Sequence, residues 1–69
     1  MIATLSTRQA VEKLRAAGLS IGDNTLRDGL EQRVFPFGCV IRTSSGGRAV
    51  YIYDKLLEEW IREREDKHA

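Results

Sequence analysis

The chain has one cysteine, one proline, one histidine and one tryptophan among its 69 residues. A single thiol, Cys39, excludes an internal disulfide, and a reducing cytoplasm is the simplest setting for it. One His and one Cys cannot complete a structural zinc site within one chain. His68 stands in a C-terminal tail expected to fray. No apolar run approaches the ~18 residues that would cross a bilayer, so no membrane association is expected. Met1-Ile2-Ala3-Thr4 lacks a charged start followed by an apolar stretch, and no secretory signal is expected. Neither sign of charge dominates, with 11 Lys and Arg against 10 Asp and Glu. The formal net charge is +1, which by itself indicates no more than solubility.

Catalytic groups are equally sparse. Cys39 lies within a strand pattern with no activating base in view, and reads as a buried, inert thiol. Asp54, Glu58 and Glu59 read as solvated helical acids rather than a catalytic pair. Ser45-Gly46-Gly47 has no phosphate-binding Lys and does not open a helix, so it is not a nucleotide loop. No enzymatic activity, cofactor, metal or catalytic residue is expected.

The chain is long enough for one small domain, which at this size buries only about 60% of its unfolded surface. Ser6-Thr7-Arg8-Gln9 is a capping box, with Leu5 placed to staple onto Ala10. The helix it opens runs to about Ala17, carries Ala10, Val11, Leu14 and Ala17 on one face, and stops at Gly18 in the left-handed conformation. Ile21 precedes a second start. Gly22 caps it, Asp23 suits the positive end of its dipole, and Leu26 is the staple partner. This helix spans about Asp23–Gln32 and buries Leu26 and Leu30. Asn24, Arg27, Asp28 and Glu31 face outward, with Thr25 beside them. Gly29 inside it costs roughly 1 kcal/mol relative to Ala, a loss best tolerated where something packs very close.

Pro36 stops any helix through Phe35 and Phe37, which are expected beneath the following hairpin. Val34 to Tyr53 contains no acid but carries Arg42 and Arg48 on either side of Ser44-Ser45-Gly46-Gly47, read as a four-residue loop. In the first strand Cys39 and Ile41 are expected inward and Arg42 outward. In the second, Val50 and Ile52 are expected inward and Tyr51 outward. Asp54 begins or caps a third helix to about Glu65, with Leu56, Leu57, Trp60 and Ile61 as its buried face. From Asp54 onward four bases face six acids, so positive potential should gather around the hairpin and not the last helix.

Helix, turn, helix and hairpin together can read double-stranded DNA. That task needs donors and acceptors near the start of an exposed helix, and basic groups that fix the backbone register. Asn24, Thr25, Arg27 and Asp28 stand in the first position. Arg42, Thr43, Ser44, Ser45 and Arg48 supply the second. Ser6, Thr7 and Arg8 offer helix N-terminal N–H groups suited to a phosphate. The plainer alternatives are helix-end chemistry for Asn24 and Thr25, and a solvated hairpin edge for Arg42 and Arg48.

Leu5-Ser6-Thr7-Arg8-Gln9-Ala10 followed by Ile21-Gly22-Asp23-Asn24-Thr25-Leu26-Arg27 resembles the small winged-helix excisionases of phages and conjugative elements. These share a fold with the DNA-binding domain of MerR-type regulators. Gly46-Gly47-Arg48, Val50-Tyr51-Ile52-Tyr53 and Leu57-Glu58-Glu59-Trp60 look like the wing and closing helix of that family. Phe35-Pro36-Phe37-Gly38 is similar to a step in small helix-turn-helix proteins of phages. The resemblance covers roughly Leu5 to Arg62 and rests on the order and spacing of loose motifs. It implies an α+β winged helix-turn-helix fold: two helices, a hairpin wing and a C-terminal helix. It also implies a non-catalytic protein of excision or transcription control, acting with further copies of itself or an integrase. Asn24, Thr25 and Arg27 would then face the major groove, and Arg42 to Arg48 the minor groove or phosphates. Where family members often carry a second base after the helix-two arginine, this chain has Asp28, with Glu31 a further acid nearby. Two alternatives stay open: a small terminase-type DNA-packaging subunit, and a protein-interaction module docking an integrase or repressor through the acidic third helix.

Overall fold

A computed structural model describes residues 1–65; His68 lies outside the described residues. The protein is α+β: β1 (Thr4–Leu5), α1 (Thr7–Ala16), α2 (Asp23–Glu31), β2 (Gly38–Arg42), β3 (Arg48–Tyr53) and α3 (Asp54–Arg64). The strands form an antiparallel sheet in the order β1-β3-β2. β1 pairs Thr4 with Tyr53 and Leu5 with Ile52. So short a strand carries no periodicity, and only the long-range pairing reveals it. No helix among the described residues is long and apolar enough to cross a membrane.

Local chemistry sets the helix ends. The Gln9 N–H donates to Ser6 Oγ at 3.1 Å, and the Ser6 N–H donates to Gln9 Oε1 at 2.9 Å, closing the expected capping box. α1 ends in a Schellman motif. Leu19 N–H reaches Leu14 O at 2.9 Å and Gly18 N–H reaches Arg15 O at 3.0 Å, with Gly18 at φ +103°. α2 ends the same way, Val34 N–H to Gly29 O at 2.9 Å and Arg33 N–H to Leu30 O at 3.1 Å. Here the left-handed position is Arg33, at φ +62°.

The core joins α1 (Ala10, Val11, Leu14), α2 (Leu26, Leu30), Ile21, Phe37, Ile52 and Leu57. Phe35 stacks on Phe37 with centroids 5.2 Å apart, and Trp60 meets both rings edge-on at 5.8 and 5.3 Å. Lys13 Nζ lies 2.7 Å from both Asp54 Oδ1 and Glu58 Oε1, tying α1 to α3. The Asp54 hydrogen bond is the main cause that raises the Lys13 pKa. Two acids of α3 therefore serve this internal contact. Ala17 and Leu56, expected inward, are exposed, because each lies at the margin of a stripe narrower than the sequence pattern.

The hairpin register departs from expectation. Gly38 pairs with Ile52, Val40 with Val50 and Arg42 with Arg48. Thr43 N–H donates to Gly47 O at 2.9 Å and Gly46 N–H to Thr43 O at 3.1 Å, with Gly46 at φ +89°. The loop is thus three residues long, a turn followed by a left-handed glycine. Compared with a four-residue loop, this shifts β2 by one residue and reverses its faces. Val40 and Val50 pack on the core with Ile52, as expected for Val50 and Ile52. Cys39 and Ile41 turn to the outer face with Tyr51, where Ile41 is exposed and Cys39 half-buried. Cys39 is therefore not the inward, buried thiol the sequence pattern implied. Arg42 moves from the outer face to the side of the sheet that meets α2.

Candidate nucleic-acid interface

The helical period places Asn24, Arg27, Asp28 and Glu31 on one face of α2, opposite the buried Leu26 and Leu30. Asn24, Thr25 and Asp28 are exposed. Arg27 is half-buried. Its Nη2 donates to Asn24 Oδ1 at 3.2 Å, and its Nε is the buried side-chain polar atom that lacks a partner among the described residues. The two residues form a joined polar pair on the first turns of the helix.

One carboxylate links the far end of this face to the hairpin. Arg42 Nη2 donates to Glu31 Oε1 at 2.7 Å, and Arg48 Nη1 donates to the other oxygen, Oε2. The register makes this possible, since Arg42 and Arg48 are Cα partners on the side facing α2. Glu31 is held below its ordinary pKa, chiefly by the Arg48 hydrogen bond and against a smaller opposing effect of burial. Arg42 keeps most of its side chain in solvent, 76% against 28% for Glu31. The guanidinium therefore retains donors directed to the outside.

Beyond the arginines, Thr43 closes the turn. Its Oγ1 lies 3.1 Å from Ser45 Oγ, donates to Gly47 O at 3.1 Å, and accepts from the Gly47 N–H at 3.1 Å. Thr43 thus shapes the tip, while Ser44 and Ser45 are exposed on it. Arg33, which sequence reasoning passed over, joins the group. It lines a cleft with Glu31, Phe35, Cys39 and Arg42. The available signal was a base in the helix-stop position where a glycine is usual. Around the C-terminal half of α2 and the hairpin base, four arginines (27, 33, 42 and 48) gather with two acids, Asp28 and Glu31.

Not all candidates come together. Ser6, Thr7 and Arg8 adjoin β1, which pairs with the Ile52–Tyr53 end of β3, four residues from Arg48 and so roughly 14 Å along the strand. The capping box occupies the N–H groups of Ser6 and Gln9, leaving those of Thr7 and Arg8 as the helix-end donors. Glu31 thus joins the C-terminal end of α2 to the hairpin base, and the α1 terminus lies apart from that contact. Among the described residues no group of His, Cys, Asp and Glu is arranged to hold a metal. No protein-family model, curated protein or solved structure matches the chain.

Proposed function

We propose that this chain is a small winged-helix protein that binds double-stranded DNA without catalysing a reaction. In this reading α2 enters the major groove and the hairpin, as its wing, follows the adjacent backbone. The observation that carries the proposal is the continuity of the two elements. The outward face of α2 and the arginine pair at the hairpin base meet through Glu31, so both present to one ligand. Asn24 is the exposed group suited to a base edge, and Arg27 braces it. Arg33, Arg42 and Arg48 are phosphate ligands, while Ser44 and Ser45 offer hydroxyls at the tip. Thr7 and Arg8 at the start of α1 suit a phosphate further along the duplex. The resemblance to phage excisionases and MerR-type regulators points the same way, toward bending or marking DNA for excision or transcription control.

Fluorescence anisotropy with labelled duplexes at low salt tests this. Arg42→Ala with Arg48→Ala should weaken binding to every sequence and flatten the salt slope by about 2, since each phosphate contact contributes roughly 0.9. Asn24→Ala should leave that slope unchanged and reduce discrimination between a selected site and random DNA. Equal binding by the wild type and the double arginine variant counts against the reading.

Protein docking is the second reading, favoured by Glu31 already neutralising much of the hairpin charge. It requires a partner captured equally well with and without nuclease.

A further inference from the structure

We infer that Glu31 is an autoinhibitory residue, an internal stand-in for a DNA phosphate that occupies Arg42 and Arg48 until a duplex displaces it. This rests on the DNA-binding reading and concerns the regulation of the same surface. The geometry is that of a shared anion. Each oxygen of one carboxylate takes one guanidinium, as two oxygens of a phosphate would. Glu31 is anchored on the last turn of α2, whereas the two arginines come from opposing strands. The contact therefore holds the hairpin against the helix while filling its anion-binding groups. It lies at the surface, with Arg42 and Arg48 side chains 76% and 41% exposed. Solvent-exposed pairs of this kind contribute little and are screened by salt, so a phosphate can replace the carboxylate readily.

The cost of displacement falls on every sequence alike, so it lowers affinity without changing the ratio between one site and another. Glu31 thus suppresses specific and non-specific binding equally, the latter being almost wholly electrostatic. Asp28 and Gln32, which line a shallow cleft with Glu31 and Arg48, do not contact the arginines in this way.

The test is anisotropy with a random-sequence duplex, comparing wild type, Glu31→Gln, Arg42→Ala/Arg48→Ala, and the triple variant. Glu31→Gln should bind several-fold more tightly at low salt. Its logarithmic salt slope should stay close to the wild type's, because the duplex reaches both arginines in either protein and the number of phosphate contacts is the same. In the arginine-free background, the same substitution should bring no such gain. Glu31→Gln matching or falling below the wild type overturns the inference alone, provided its thermal unfolding shows an intact fold. A gain of equal size in the triple variant also overturns it, since removal of one acid from the surface then explains everything. Failure of every variant to bind at low salt overturns the DNA reading and this inference together.

Discussion

Gly29→Ala separates a packing requirement from a helix preference. In an open helix the substitution stabilises by about 1 kcal/mol. Here a Cβ would stand 2.5 Å from Phe35 Cδ2 and closer still to Cε2, so the ring must retreat by about 1 Å to reach ordinary contact. Its path is blocked by Phe37, stacked at 5.2 Å, and Trp60, edge-on at 5.8 Å. Overpacking of this kind costs about 1–3 kcal/mol, and the blocked retreat places it near the upper end. The net loss is about 2 kcal/mol, a large part of the roughly 3–10 kcal/mol available to a domain of this size. Urea unfolding followed by fluorescence of Trp60, which touches both phenylalanines, measures it directly. In a Phe35→Val background the ring atoms in question are gone. Gly29→Ala should there stabilise by about 1 kcal/mol, a reversal of sign. The same effect in both backgrounds, or a stabilised Gly29→Ala in the wild type, refutes the packing argument.

Two further outcomes follow from the α2 terminus and its ion pairs. Arg33→Gly should raise the urea midpoint, because the left-handed backbone costs a non-glycine residue about 1–2 kcal/mol and glycine's extra unfolded-state freedom returns about 0.5–1 kcal/mol of that; an unchanged midpoint counts against strain at Arg33. The Glu31 carboxyl, followed by NMR, should titrate below 4.5, and Arg48→Ala should raise its midpoint. Because the folded value is depressed, the clamp's contribution is present above 4.5 and is lost as pH falls through the folded value. A midpoint unaffected by Arg48→Ala would contradict the assigned cause.

Helix boundaries were legible because their signals are local. Ser6 and Gln9 encode a capping box within four residues, Gly18 a left-handed stop, and Ile21 with Leu26 a staple around the Gly22 cap. Even the unfavourable Gly29 pointed to the close neighbour that Phe35 proved to be. The hairpin was harder. Cys39, Val40 and Ile41 are all apolar, so β2 offers no alternation from which to choose an inner face. Its parity then depended on loop length. Four residues pair Ile41 with Val50, whereas the observed three pair Val40 with Val50. That one-residue difference also carries Arg42 to the α2 side, which is why the clamp on Glu31 was invisible in the sequence. β1 and the Lys13 contacts with Asp54 and Glu58 join residues more than forty positions apart and leave no local trace. The candidate site was legible as residue types near a helix start and a turn, but its internal neutralisation was not.

The DNA-binding reading stands or falls with α2 and the hairpin forming one surface. Backbone amide shifts of the labelled protein, titrated with duplex DNA at low salt, address it most directly. Perturbations should concentrate in residues 23–33 and 42–48, with a second, smaller group at Thr7 and Arg8. Shifts concentrated on α3, or no shifts at saturating duplex, would contradict that reading.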